Sequence, residues 1–335
     1  MIIPSEFSPP SWLRNPHLQT ILGARWHMPP AAAMIRERVE LDDSDFLDLA
    51  FSPTFDTGGT GDIVAIFHGL AGSTDSSYIR GAFHALDAAG FRVAFMHFRG
   101  CSGEPNRLAH SYHAGATEDM RWFIDRLAGE HPDTPLHAIG YSLGGNALIK
   151  YLGEQGADTP LTSAVSVCPP LVIAEGAARM NRGLARGYQA YLARRMRAQH
   201  EIKRTRYPEL ELPPATPQAH GSFLAIDEQL TAPLHGFDSA RDYYTQASAR
   251  QFLPQVRIPL TVLCARDDPF FTPAIIPTAE ELAPDTVLEL SDYGGHVGFI
   301  DSLSLEGRWL DRRLVELVAK QRLPEQFATL KRVSP

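Results

Sequence analysis

The sequence contains few cysteines, and their spacing excludes two kinds of site. Its 335 residues include only Cys101, Cys168 and Cys264, which lie far apart and form no C-x-x-C pair. An odd number of cysteines at such distances indicates neither a disulfide framework nor a zinc site. Free thiols are typical of a reducing compartment, so we expect a cytoplasmic protein.

Long hydrophobic runs are missing as well. No apolar run approaches the roughly 18 residues that a membrane-spanning helix needs. The first residues, MIIPSEFSPPSWLRNPHLQTILG, lack the basic stretch and the long apolar core of a signal peptide. The sequence therefore predicts neither a transmembrane helix nor a secretion signal.

An excess of positive charge is also absent. The formal net charge is −8 at pH 7, whereas proteins that bind nucleic acids usually carry a basic surface, so we expect no nucleic-acid partner. One segment, Arg186 to Arg206, is nevertheless basic: RGYQAYLARRMRAQHEIKRTR. It is interpreted either as the solvated face of a helix or as a peripheral contact with anionic lipid or an acidic substrate.

The sequence does contain a regular alternation of buried strands and helices. Continuous apolar runs, typical of strands covered on both faces, occur at DIVAIFHG, FRVAFMHFRG, LHAIGYS, LTSAVSVCPP, IPLTVLCARDDP and DTVLELSD. Helical patterns such as SSYIRGAFHALDAAG lie between them, and this order predicts a mostly parallel sheet flanked by helices. With an antiparallel hairpin at RERVELDDSDFLDLAFSP, the predicted sheet has eight strands.

The alternation is interrupted between residues 171 and 254. This stretch holds the basic segment and the proline-rich YPELELPPATP, and it is too long for a simple crossover. We interpret it as a mainly helical cap inserted over the strand ends. The predicted organisation is therefore an N-terminal arm at 1–34, an α/β core at 35–170 and 255–325, and a cap at 171–254.

One short motif predicts a nucleophile. Residues 140–144, GYSLG, match G-x-S-x-G, with a predicted strand before them and a helix after them. In this context the serine lies on a tight turn, and larger residues two positions to either side would collide with neighbouring elements. Ser142 is therefore the predicted nucleophile.

A serine hydroxyl needs a base, and two later loops supply one with an acid behind it. The order expected after the serine is an acid and then a histidine. His296 in YGGHVGF is the predicted base, and Asp268 in CARDDPFF is predicted to orient it. Asp267 remains an alternative for the acid, and its other predicted role is to hold the turn through backbone N–H groups.

Two backbone N–H groups are predicted to form the oxyanion hole. One belongs to Leu143, at the start of the helix that follows Ser142, and the other to Leu70 in HGLAGS. His68, in the same loop, is interpreted as a residue that holds the loop. For residues 15–20, NPHLQT, we predict only that they anchor the N-terminal arm.

Eight motifs in order resemble the YheT-like hydrolases, which are bacterial α/β-hydrolases akin to eukaryotic abhydrolase-domain lipases and plant EMB8-type proteins. They run from Asn15 to Asp301: NPHLQT, HGLAGSTDSSYIR, FRGCSGEPNR, YHAGATEDMR, GYSLGGNALIKYLGE, TAPLHGF, DDPFF and GGHVGF. The resemblance implies an α/β-hydrolase fold with Ser142, Asp268 and His296 as its triad. It also implies hydrolysis of carboxylic esters (EC 3.1.1.-), with short-chain acyl esters or acylglycerols as substrates.

The expected reaction passes through an acyl-enzyme and needs no metal ion or organic cofactor. Haloalkane dehalogenases and epoxide hydrolases carry Asp at the nucleophile position, so Ser142 argues against both. Two alternatives stay open. The same triad can transfer the acyl group to an alcohol, and a hydrolase scaffold can serve a protein that only binds.

Overall fold

A computed structural model describes residues 1–25, 33–55, 59–217, 220–302 and 308–321. In these ranges nine strands form one sheet in the order β1-β9-β8-β7-β6-β4-β5-β3-β2. Their bounds are β1 Ile2–Pro4, β2 Ile35–Glu40, β3 Phe46–Phe51, β4 Ile63–Phe67, β5 Arg92–Met96, β6 Leu136–Tyr141, β7 Ser163–Val167, β8 Leu260–Ala265 and β9 Thr286–Ser291. Strand β3 is antiparallel to both β2 and β5, and the other neighbours are parallel.

The prediction of eight strands was wrong by one strand. Strand β1 lies in the predicted N-terminal arm and pairs with β9, with Ile2 opposite Leu288 and Pro4 opposite Leu290. The ammonium group of Met1 extends this pairing by donating a hydrogen bond of 2.6 Å to the carbonyl of Thr286. Three residues are too few to show a periodicity, so the local sequence carries no strand signal for β1.

The central strand β4 is apolar throughout because it faces a core on either side. In β4, Ile63, Ala65 and Phe67 belong to one apolar cluster, while Val64 and Ile66 belong to the other. This explains why the strand runs do not alternate with polar residues. The mostly parallel sheet that this pattern predicted is confirmed.

Helices cover both faces of the sheet. Their bounds are α1 Pro16–Arg25, α2 Ser77–Ala88, α3 Glu118–Glu130, α4 Leu143–Gln155, α5 Ile173–Met180, α6 Ala185–Arg206, α7 Phe223–Ile226, α8 Ala232–His235, α9 Ala240–Ala247 and α10 Trp309–Ala319. Helices α2 and α10 bury apolar residues in one cluster, and α3 and α4 in the other. The sequence also predicts a last helix near Leu303 to Lys320, of which residues 303–307 lie outside the described ranges. Among the described helices, none has the length and hydropathy needed to cross a membrane.

Helix α6, the basic segment, lies against loops at the carboxyl edge of the sheet. Tyr188 near its start packs on Phe270, which follows β8, at 5.1 Å between ring centroids. Gln199 near its end donates a hydrogen bond of 3.1 Å to the carbonyl of Gly100, which follows β5. These contacts support the proposal that residues 171–254 form a cap over this edge.

Candidate active site

Ser142 lies on the turn between β6 and α4 in a strained backbone conformation. Its φ is 49° and its ψ is −117°, which an L-residue other than glycine rarely adopts. The N–H of Ser142 donates a hydrogen bond of 2.8 Å to the carbonyl of Val167, which fixes the turn against β7. Strain of this kind costs about 1–3 kcal/mol and persists only where the surrounding structure enforces it.

The glycines beside Ser142 allow the backbone to pass close to other elements. A Cβ atom on Gly144 would lie 2.4 Å from the carbonyl oxygen of His68. A Cβ atom on Gly140 would lie 2.6 Å from the carbonyl oxygen of Gly144. Both contacts are shorter than real carbon atoms allow, which is the steric reason expected from the motif.

The structure brings the three side chains predicted for the triad together. Nε2 of His296 lies 2.9 Å from Oγ of Ser142. Nδ1 of the same ring lies 2.8 Å from Oδ2 of Asp268. The second carboxylate oxygen of Asp268 accepts a hydrogen bond of 2.8 Å from the N–H of Phe270, so both oxygens have partners.

Asp267, the alternative acid, points to a different group. Its Oδ1 accepts a hydrogen bond of 2.9 Å from the N–H of Gly295, in the loop that carries His296. Burial raises the pKa of its carboxyl group to about 6. Asp268 thus contacts the imidazole, and Asp267 holds the adjacent loop.

The two N–H groups predicted for the oxyanion hole are available. In the loop after β4, the N–H of Gly69 donates to the hydroxyl of Tyr78 at 3.0 Å, and that of Ala71 donates to the hydroxyl of Tyr112 at 2.8 Å. Within the part of the chain that the structure describes, the N–H groups of Leu70 and Leu143 have no hydrogen-bond partner. The Leu143 group also begins α4, where the helix dipole favours negative charge.

Comparison with known proteins assigns the chain to a family. A family described as the alpha/beta hydrolase fold matches residues 62–303. YheT of Escherichia coli strain K12, whose name describes it as a candidate esterase, is 38% identical over 312 residues that make up 92% of each chain. The chain is a YheT-like member of the α/β-hydrolase family.

Two further proteins are similar over most of this chain. The medium-chain fatty acid ethyl ester synthase/esterase 2 of Saccharomyces cerevisiae is 29% identical, covering 77% of this chain and 62% of its own length. The solved structure of the Pyrococcus furiosus esterase Pf2001 superposes with a TM-score of 0.56 at 16% identity, covering 93% of this chain and 99% of that one. The second likeness shows a shared fold.

In this YheT-like hydrolase two phenylalanines enclose the imidazole, a feature that the sequence analysis missed. The ring of Phe270 stacks on His296 at 4.0 Å between centroids and 11° between planes. Phe271 meets the same ring edge-on at 5.4 Å and 74°. The signal was the pair of aromatic residues in DDPFF, which follows Asp268 after a single proline and therefore lies close to the ring that Asp268 contacts.

The NPHLQT segment, which we predicted only to anchor the arm, holds the histidine loop. The N–H of His296 donates a hydrogen bond of 2.9 Å to the hydroxyl of Thr20. The side chain of Gln19 accepts from the N–H of Ile300 at 2.7 Å and donates to its carbonyl at 2.9 Å. A Cβ atom on Gly295 would lie 2.5 Å from the carbonyl oxygen of Pro16, so helix and loop are in direct contact. No pattern of neighbouring residues predicts these long-range hydrogen bonds.

His68 holds the loop that follows β4, as the sequence analysis proposed. Its Nε2 accepts a hydrogen bond of 3.0 Å from the N–H of Phe98, and its Nδ1 lies 2.7 Å from the carbonyl of Gly69. Burial lowers the pKa of this imidazole to about 3, so it stays neutral and keeps both bonds.

One group of three side chains in the described ranges has a spacing that a metal ion could use. The ligand atoms of Cys168, Asp268 and His296 all lie within 4.8 Å of one another. However, Asp268 and His296 are already hydrogen-bonded to each other. Burial also raises the pKa of the Cys168 thiol well above its usual range, which disfavours the thiolate that metals bind. The arrangement suits proton transfer better than metal ligation.

Proposed function

We propose that this protein is a serine hydrolase of carboxylic esters (EC 3.1.1.-). The observation that carries the proposal is the imidazole of His296, which lies 2.9 Å from the Ser142 hydroxyl and 2.8 Å from the Asp268 carboxylate. A hydroxyl, a base and an acid in this order form the set of groups that acyl transfer requires.

The reaction begins when Oγ of Ser142 attacks the ester carbonyl while Nε2 of His296 takes the hydroxyl proton. The carboxylate of Asp268 stabilises the imidazolium that results. The N–H groups of Leu70 and Leu143 donate to the carbonyl oxygen as it becomes negative. The alcohol then leaves with the proton from His296, and the acyl group remains on Ser142.

Deacylation repeats these steps with water as the nucleophile. His296 takes a proton from water, the hydroxide attacks the acyl carbonyl, and Ser142 regains its proton as the acid leaves. The cycle uses only side chains, backbone N–H groups and water.

Short-chain acyl esters or acylglycerols are the proposed substrates. The phenylalanines that enclose His296 and the partly buried side chains of Leu70 and Tyr112 give the site an apolar border. Such a border suits an acyl chain better than a charged group. The esterase names of the relatives agree with this chemistry.

A fluorophosphonate probe and a panel of esters test the proposal. We expect the probe to label Ser142 in the wild-type protein and to leave Ser142→Ala unlabelled. The wild type should also hydrolyse p-nitrophenyl esters or monoacylglycerols of some chain length. A folded wild-type protein that neither reacts with the probe nor cleaves any of these esters would contradict the proposal.

Acyl transfer to an alcohol is a second candidate. The yeast relative is named as an ester synthase as well as an esterase, and the same triad performs both reactions when an alcohol replaces water. Product analysis in the presence of added ethanol separates them, because a transferase forms the ethyl ester and a strict hydrolase forms only the free acid.

A further inference from the structure

Helix α1 presents polar side chains to the protein and large apolar side chains to solvent. Gln19, Thr20 and Gly23 are buried against the histidine loop, whereas Leu18 and Ile21 are 43% and 45% exposed. A surface helix normally has the opposite arrangement. The inner face is explained by the contacts with the loop, whereas no described residue covers Leu18 and Ile21 on the outer face.

Helix α6 adds a second exposed apolar face next to the first. Nδ1 of His17 lies 3.0 Å from the hydroxyl of Tyr188, and the two rings stack at 5.8 Å, so α1 and α6 are in contact. Leu184 and Tyr191 lie one turn to either side of Tyr188 and are 74% and 43% exposed. Residues three and four positions apart share a helix face, so these apolar side chains flank the contact between the two helices.

The same region carries positive charge without compensation. No acidic residue occurs between Glu175 and Glu201, although six arginines do. Four of these arginines are exposed and, in the part of the chain that the structure describes, form no ion pair: Arg182, Arg186, Arg194 and Arg195. The guanidinium of Arg194 lies 5.9 Å from the ring of Tyr191, which mixes the charged and apolar groups on one face. The whole chain has a net charge of −8, so this local excess of positive charge is opposite in sign to the charge of the protein.

The exposed face of α6 lies close to the candidate active site. Through Tyr188, α6 packs on Phe270, which stacks on His296. At its other end α6 reaches the loop after β5 through Gln199 and Gly100. A surface that binds the outer face of α6 would therefore lie beside the entrance to the triad.

We propose that this face binds the surface of an anionic phospholipid bilayer. The docking face consists of the apolar Leu18, Ile21, Leu184 and Tyr191 with the basic Arg194 and Arg195, which both contact Tyr191. Apolar side chains that enter the headgroup boundary and cations that meet anionic headgroups are the two components of interfacial binding. The charge complementarity selects an anionic membrane over a neutral one. Binding needs no turnover, so the proposal stands apart from the proposed chemistry.

Vesicle sedimentation of the full chain tests the docking face. We use vesicles of phosphatidylglycerol with phosphatidylcholine, and vesicles of phosphatidylcholine alone, at low and high salt. The wild type should bind the anionic vesicles at least about tenfold more tightly than the neutral ones, and salt should weaken this binding. The Ser142→Ala protein should bind equally well, which separates docking from hydrolysis.

Matched variants assign the binding to this face. The double variant Arg194→Gln/Arg195→Gln should bind anionic vesicles about tenfold more weakly. The charge-matched control Arg121→Gln/Arg241→Gln, on α3 and α9, should stay within about twofold of the wild type. Leu18→Ser/Ile21→Ser should also bind more weakly, and circular dichroism with turnover of a soluble ester reports whether each variant is folded.

Three results would overturn the proposal. The first is a wild type that stays in the supernatant with anionic vesicles at low salt. The second is an equal loss of binding in the control and in the arginine variant. The third is a monomer–dimer shift in Leu18→Ser/Ile21→Ser without any change in vesicle binding, because the apolar residues would then form a contact between copies of the chain.

Discussion

The hydroxyl of Thr20 accepts a hydrogen bond of 2.9 Å from the backbone N–H of His296, a residue 276 positions further along the chain. The same hydroxyl donates a bond of 2.8 Å to the carbonyl of Pro16, within its own helix. The Thr20 hydroxyl therefore acts both as an acceptor and as a donor. The proposed base of the reaction is held in place by a helix at the opposite end of the sequence.

Thr20→Val tests whether this contact positions the imidazole. The variant leaves the N–H of His296 without a partner, which costs about 1–3 kcal/mol of stability. We expect kcat for a soluble ester to fall about tenfold with little change in KM, because a misplaced base affects the chemical step more than binding. Steady-state kinetics and thermal unfolding measure the two effects.

Thr20→Ser is the matched control, since it keeps the hydroxyl. It should recover most of the kcat that Thr20→Val loses. If both variants lose the same activity, the methyl group matters and the hydrogen bond does not. If neither loses activity, the positioning role is wrong.

The two neighbouring aspartates should respond very differently to the same substitution. Asp268→Asn replaces the carboxylate that faces Nδ1 of His296, favours the wrong tautomer of the ring, and should lower kcat by about 10³–10⁴-fold. Asp267→Asn can still accept from the N–H of Gly295 through its amide oxygen, so kcat should fall less than about tenfold. Ester kinetics of the two variants side by side make the comparison, and a larger loss in Asp267→Asn would reverse our assignment.

Glycine 144 should tolerate no side chain. The Cβ atom of Gly144→Ala would lie 2.4 Å from the carbonyl oxygen of His68 and 2.7 Å from that of Phe67, and neither backbone group can move cheaply. We expect a loss of more than about 3 kcal/mol in the free energy of unfolding, or no soluble protein. Urea unfolding measures the loss.

The matched control is Gly129→Ala on helix α3, where an added Cβ meets no atom within 4 Å. That variant should be about 0.5–1 kcal/mol more stable than the wild type, because alanine lowers the entropy of the unfolded chain. Equal effects at the two positions would show that the close approach at Gly144 does not exist.

Asp227 should make the stability of the protein depend on pH. Its carboxylate accepts hydrogen bonds from Thr231 and Tyr244, both at 2.7 Å. Burial raises its pKa from 3.8 to about 6. The folded state therefore binds the proton more tightly than the unfolded state. The resulting stabilisation is complete below pH 3.8 and is lost as the pH rises through about 6.

Urea unfolding of Asp227→Asn and the wild type at pH 5 and pH 7.5 measures this contribution. Between these values the wild type should lose about 1 kcal/mol more than the variant. Asp267 also titrates near this range, but it is present in both proteins and cancels from the difference. Identical pH profiles would show that the Asp227 carboxyl is solvated in the folded state.

The sequence predicted those parts of the site that depend on contiguous residues. The turn at Ser142 requires glycines within two positions, and the strand before it and the helix after it are visible as local patterns. Six strands were predicted for the same reason, because each is a run of five or six largely apolar residues, and β2 and β3 were predicted from the alternating pattern of a hairpin. Chain order then limited the choice of acid to Asp267 or Asp268.

Features that depend on distant partners could not be read from the sequence. Strand β1 has three residues and is defined by its pairing with β9. Gln19 and Thr20 look like ordinary helix residues until Ile300 and His296 lie beside them. The contact of Asp268 with the imidazole and of Asp267 with the Gly295 N–H likewise depends on the direction of each side chain, which no local pattern encodes.

The pairing of β1 with β9 has a consequence for folding during synthesis. A ribosome makes Ile2 long before Leu288, its partner in the sheet, and translation proceeds at about 5–20 residues per second. Thr20 is likewise synthesised long before His296, its hydrogen-bond partner. A nascent chain therefore carries an unpaired strand and an unoccupied helix face until the last strand emerges. Strand β1 and helix α1 can therefore reach their partners only late in synthesis, so chains that stop before β9 should be inert.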